Sequence, residues 1–260
     1  MRFEVGMHFS RSTWSPPWRR IFGRPTRKSP SMHRIGWWMG LGLACSSVVS
    51  WPQWPWRIEF DRWPDGYSVR GRPATPMAIF ELVQVPDAVD GHALRMKADR
   101  ATGSLLIPVP RLEGAGSFVL RWRWRVLEFP TKADGRDARR DDQAIGVYVG
   151  TEGGWRRRAL AYRWETETPV GQCGESVYAG GLVRVRWICV RNAKDGTGRF
   201  LTEERNLMAD WREAFEDSIP SSVAISISCN SQYTGTKASA ELDWIELTAS
   251  TNAAPSAAAK

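Results

Sequence analysis

Two stretches of the chain carry residue types from which chemistry could be built. In "GRDARRDDQAIGVYVG" Asp141 and Asp142 stand at the mouth of an apolar run, and in "LTEERNLMADWREAF" Glu203, Glu204 and Asp210 flank the start of a helical pattern. Glycoside cleavage needs two carboxyl groups on opposite sides of a bond, one to give a proton and one to act as nucleophile or base. Asp141, Asp142, Glu204 and Asp210 are therefore the candidates for a hydrolase or lyase. The plainer account is that "GRDARRDD" satisfies its own charges and that Glu204 meets an arginine in a solvated loop.

A second chemistry is binding. "TEGGWRRR" sets Trp155 beside two glycines in an expected hairpin tip, followed by Arg156, Arg157 and Arg158. An exposed indole can stack on a sugar ring, and guanidinium groups can hold carboxylates or phosphates. The expected ligand surface is Trp155 and Arg156 to Arg158, assisted by Asp141 and Asp142 at the neighbouring strand end. The competing account folds Trp155 back onto the sheet edge. No cofactor is expected beyond a structural calcium ion, for which Asp61 and Asp243 are the candidate ligands.

Several chemistries lack their residues. The histidines are His8, His33 and His92, and a processed chain would keep His92 alone, too few for a multi-histidine zinc site. His92 lies in a "DGHAL" turn far from any nucleophile elbow, and no phosphate loop or dinucleotide fingerprint occurs. Of the four cysteines, Cys45 falls in the leader, while Cys189 and Cys229 lie on apolar runs where buried reduced thiols are usual. With Cys173 they permit one disulfide in an oxidising compartment, and no pairing is assigned.

The elements that must position these residues show a period of two. In "SFVLRWRWRV", Phe118, Leu120, Trp122, Trp124 and Val126 fall on one side and Arg121, Arg123 and Arg125 on the other. A nucleic-acid platform needs aromatics and cations on one surface, and this strand separates them, so no nucleic-acid partner is expected. The tryptophans are expected in the core and the arginines in a solvated stripe, with a groove for an acidic glycan as the alternative. "VRVRWICV" repeats the device with Arg184 and Arg186, which suggests a neighbouring strand and one shared basic face. Seven further strand patterns bring the expected number to at least nine, and "NLMADWREAF", capped by Asn206, gives one helix near 206–216. The fold expected is all-β: an antiparallel β-sandwich of jelly-roll type with that single short helix.

Charge is uneven along the chain. Residues 1–50 hold eight Lys or Arg against one acid, so seven of the eight net positive charges lie there and +1 remains for residues 51–260. Arg34 precedes "IGWWMGLGLACSSVVS", an uncharged run of 16 residues that reads as an export signal over 32–50. Residues 1–31 read as a basic extension or a mis-called start, with Met1, Met7 and Met32 as possible starts. Arg19, Arg20 and Phe22 weakly match a twin-arginine signal, and "LGLAC" offers a lipoprotein box at Cys45. Membrane attachment is expected solely through an uncleaved signal or a lipidated Cys45. "WPQWPW", residues 51–56, reads as a linker, residues 57–249 as the sandwich, and 250–260 as a disordered tail.

The ordered series "WRWRV", "ADGRDARRDDQAIGVYVG", "RALAYRW", "ERNLMADWREAF" and "SAELDWIEL" resembles the uncharacterised bacterial family catalogued as domain of unknown function 3047, over about residues 57–248. The resemblance implies an exported bacterial protein, a jelly-roll sandwich similar to carbohydrate-binding and lectin-like domains, and no established activity. Where that family is expected to carry an Asp-x-Asp pair before Thr-Gly, this chain has "NSQYTG", with Asn230 and Gln232. Amides perform no acid-base chemistry and bind hard cations less well than carboxylates. The function expected is an exported, non-catalytic module in the periplasm or envelope that binds an acidic glycan or another envelope polymer, with the paired-carboxylate enzyme as the alternative.

Overall fold

Alternation of apolar and polar residues governs what forms here. The structure, a computed structural model, describes residues 54–113, 116–152 and 156–250. The strands are β1 (Trp56–Ile58), β2 (Ser68–Arg70), β3 (Ile79–Gln84), β4 (His92–Asp99), β5 (Thr102–Pro108), β6 (Ser117–Glu128), β7 (Ile145–Thr151), β8 (Arg157–Trp164), β9 (Cys173–Tyr178), β10 (Val183–Arg191), β11 (Leu201–Asn206), β12 (Val223–Asn230) and β13 (Lys237–Ser250). The helix α1 spans Leu207–Phe215.

Two sheets result, in the order β11-β6-β13-β4-β3, with β1 paired to β13, and β2-β5-β12-β7-β8-β10-β9. The fold is a β-sandwich of the jelly-roll kind. Its pairs are antiparallel except β8 with β10, which run parallel.

The inner row of β6 joins the sheets. Phe118, Leu120, Trp122, Trp124 and Val126 are at most 1% exposed. The Trp122 ring lies 5.3 Å from Trp124 and 5.1 Å from Tyr162 of the facing sheet, and Trp124 lies 5.5 Å from Trp164. The opposite row is not simply solvated. Arg121 pairs with Glu204, Arg123 with Asp243, and Arg125 with Asp87 and Glu241. Glu241, fully buried, also meets Arg95, so the arginines are tied into a ladder of ion pairs across the sheet.

On β10 the expected orientation is reversed. Val185 is registered with Ala159 and Trp187 with Ala161 on parallel β8, so these residues share a face. They form a small apolar cluster with Tyr148, apart from the main core, while Ile188 and Val190 pack on the main core. Arg184 and Arg186 thus point to the inner side. Because β6 and β10 belong to different sheets, they do not build one basic face.

Residues 54–56 are part of the sandwich and not a linker. Trp54 meets Phe118 edge-on at 4.9 Å, and Trp56 pairs with Leu247. β13 continues to Ser250, and the rest of the tail, like the leader with Cys45, lies outside the described residues. The Asn206 side chain accepts from the Ala209 N–H and caps α1, whose Leu207 and Trp211 enter the core. Among the described residues no helix is long and apolar enough to cross a membrane.

Candidate functional site

The inner row of β8 and β10 supplies the first constellation. Arg184 is registered beside Arg158, near the C-terminal end of α1. There a groove of about 470 Å³ is lined by Arg156, Arg157, Arg158, Arg184 and Arg186, with Phe215 and Glu216 from the helix end. Cations near a helix C-terminus are favoured by its partial negative charge. Arg158 pairs with Asp217 at 2.9 Å, its guanidinium carbon 5.3 Å from the Phe215 ring centre, and Arg186 lies 2.9 Å from Glu175. A second pocket, holding Cys173 and Glu213, shares Arg186, Ala214 and Glu216 with this groove.

The outer face of the seven-stranded sheet supplies another. Arg163, 1% exposed, donates from Nη1 to Asp141 at 2.6 Å and to Glu165 at 3.4 Å. Its guanidinium carbon lies 5.3 Å from the Trp187 ring centre and 5.9 Å from that of Tyr148, so two aromatic faces flank the charge. Both rings need close approach to glycine: a Cβ on Gly174 would fall 2.1 Å from Trp187, and one on Gly146 would fall 2.6 Å from Tyr148. The second oxygen of Asp141 accepts from Ser176 at 2.9 Å and Tyr178 at 3.3 Å. Above it opens a cleft of about 410 Å³ whose walls include Arg72, Arg136, Tyr178 and Tyr233.

Burial sets the protonation tendencies. It pushes the carboxyls of Asp142 and Glu165 above their usual range, and likewise the phenol of Tyr178. Asp134 moves the other way, to about 2, chiefly through its hydrogen bond from Arg136. Asp142 accepts from the N–H and hydroxyl of Thr234, while its other oxygen has no partner. The "NSQYTG" corner therefore holds Asp142, and its Asn230 accepts from Thr102.

The carboxylate quartet of the sequence is not brought together. Asp141 faces the outer side of β8 through Arg163, whereas Asp210 accepts from Tyr162, the preceding residue, on the inner side. Glu204 sits on the other sheet against Arg121. Alternation along β8 sends the partners of Asp141 and Asp210 to opposite faces, while Asp142 is held by Thr234 and Glu204 by Arg121 of β6.

The binding set is also divided. Arg156, Arg157 and Arg158 line the basic groove, Asp141 floors the outer cleft, Asp142 lies buried beside it, and Trp155 is outside the described residues. Asp61 lines a separate groove near β1, and Asp243 is engaged by Arg123 and the Val89 N–H, leaving it poorly placed to serve a cation. Among the described residues no group of three or more His, Cys, Asp or Glu comes together as metal ligands. His92 bonds the Asp90 carbonyl, and Cys173, Cys189 and Cys229 are free thiols. Sequence reasoning missed Arg163, Gln143, Tyr178 and Tyr233. For Arg163 a signal existed: a charge inside the apolar run "ALAYRW" implies a buried partner.

A family model described as "Protein of unknown function (DUF3047)" matches residues 77–246. No curated protein matches the sequence. Among solved structures, the family 11 carbohydrate-binding module of the cellulase Lic26A-Cel5E of Clostridium thermocellum is similar at 7% identity, covering 76% of this chain and 96% of that one, with a TM-score of 0.42. The xyloglucanase domain of NopAA from Sinorhizobium fredii is similar at 9% identity, covering 72% and 96%, with a TM-score of 0.42. The CBM22-1 xylan-binding domain of Xyn10C from Paenibacillus barcinonensis is similar at 10% identity, covering 76% and 95%, with a TM-score of 0.37.

Proposed function

The chain belongs to the DUF3047 family, and from that starting point we propose that it is an exported, non-catalytic module that binds an acidic glycan or another anionic polymer of the cell envelope along the arginine groove. One observation carries the reading: five arginines from β8, β10 and the residue before β8 line a single groove beside the end of α1. Guanidinium groups present planar forks of donors that match carboxylate and sulfate oxygens. Trp155, which precedes Arg156 in the sequence, is proposed from the sequence alone as a ring that stacks on the ligand. Export is supported by Arg34 and the uncharged run after it.

The test is calorimetric titration of the protein with alginate, polygalacturonate and hyaluronan oligosaccharides. At least one should bind with an affinity that falls as salt rises, because exposed charge pairs are screened. Arg184→Ala combined with Arg186→Ala should weaken that binding strongly while leaving the fold intact by circular dichroism. Binding that survives the double substitution, or no binding to any of the three, would overturn the assignment. Cell fractionation tests export, which fails if unprocessed full-length chain stays in the cytosol.

A further inference from the structure

The outer face of the seven-stranded sheet holds a polar arrangement that the arginine groove does not use. Asp141 lies at the floor of a cleft of about 410 Å³, with Ser176 and Tyr178 donating to one of its oxygens and Arg163 to the other. Around Arg163 gather buried polar atoms with no hydrogen-bond partner: its own Nε, the Nε1 of Trp187 and the Oε1 of Gln143. Gln143 is fully buried and Trp187 is 3% exposed. Gln143 is fixed by its amide hydrogen bond to the Tyr148 hydroxyl, 2.8 Å away. Donors and acceptors are thus stacked in excess of what the chain itself satisfies, which is uncommon in a buried layer.

The carboxylates at this place are paired. Arg163 has Asp141 and Arg136 has Asp134, while Glu175, alternating with Ser176 along β9, pairs with Arg184 and Arg186 of the groove. Arg72 donates to the Tyr233 hydroxyl at 2.9 Å. A ligand entering here meets two phenol rings, a hydroxyl, a carboxylate acceptor and, as a further donor, the guanidinium of Arg72. Saccharides present that complement: apolar ring faces for stacking and hydroxyls that both donate and accept.

We propose that this cleft is a second binding site, distinct from the arginine groove, that takes an uncharged saccharide. Tyr178 and Tyr233 hold the ring faces, and Asp141, oriented by Arg163, accepts from the sugar hydroxyls.

The test uses maltohexaose, cellohexaose and xylohexaose as probes in calorimetric titration and saturation-transfer NMR with the full chain. At least one binds, with an affinity insensitive to salt. Tyr178→Ala and Tyr233→Ala, both at the rim, each weaken it by about tenfold, and Arg184→Ala with Arg186→Ala leaves it unchanged. Tyr178→Phe, which keeps the ring and removes the hydroxyl, gives a smaller loss. The proposal is overturned if none of the three probes binds, if binding survives both tyrosine substitutions, or if the arginine double substitution abolishes it. Since the acidic probes report on the groove and the neutral ones on the cleft, failure of either site is read separately.

Discussion

Tyr162 and Arg163 are consecutive on β8 and serve opposite faces of one sheet: the Tyr162 hydroxyl donates to Asp210 at 2.8 Å beneath α1, and Arg163 donates to Asp141 at 2.6 Å on the outside. That single alternation separates two carboxylates which the sequence offers as possible partners. It also makes two environments, a groove rich in arginine and a cleft floored by a paired carboxylate, on the two sides of the same strands.

Removing Arg163 should be severe. Arg163→Met leaves Asp141 and Glu165 buried without their shared cation, and breaking such a pair typically costs about 3 to 5 kcal/mol. Urea denaturation of the variant should show that loss near neutral pH and partial recovery in mild acid, where the Glu165 carboxyl, raised by burial, can protonate. Equal stability of variant and parent at neutral pH would remove the pair from the fold's support.

Trp122→Ala empties a fully buried site that bridges the two sheets. A loss of about 3 to 5 kcal/mol is expected in equilibrium unfolding. A small loss would mean that the aromatic layer between the sheets can collapse around the cavity.

Asp142 gives a pH dependence with a definite sign. Its folded carboxyl titrates above the ordinary 3.8, mainly because burial disfavours its charge. Between these values the folded chain holds a proton that the unfolded chain has released, so stability falls as pH rises from about 4 through the folded value. Asp142→Asn should flatten that part of the curve. Denaturation midpoints measured from pH 4 upward check it, and identical slopes in variant and parent would refute it.

The thiols should differ in reactivity. Burial pushes Cys189 and Cys229 up to about 12, and both side chains are enclosed, whereas Cys173 is exposed on the edge strand β9. Alkylation of the native protein followed by peptide mapping should mark Cys173 and spare the other two. Rapid labelling of Cys229 would show that the β12 region opens in the native state.

Much of the fold was legible because alternation is a local property. Trp122 and Trp124 were assignable to the core from the residues beside them, as were Asn206 and the four-residue spacing that make α1. The nine longer or more apolar strands were readable in the same way. β1, β2, β9 and β11 were not, being short or polar and held by pairing with distant partners: Trp56 by Leu247, Arg205 of β11 by Leu120. The candidate residues Arg156 to Arg158 and Asp141 were visible as types.

By itself the sequence determined which residues share a strand face, that two apolar layers must meet, and where the helix begins. It could not say which face of β10 looks inward, since a period of two is symmetric under exchange of sides. Parallel pairing with β8 decided that, sending Trp187 to a small outer cluster and Arg184 and Arg186 under α1. Nor could spacing along the chain place Asp141 against Arg163, Ser176 and Tyr178, which lie 22, 35 and 37 residues away. Only the order of strands in the sheet brings those side chains within hydrogen-bonding reach, because lateral neighbours in a jelly roll are set by long-range pairing and not by proximity in sequence.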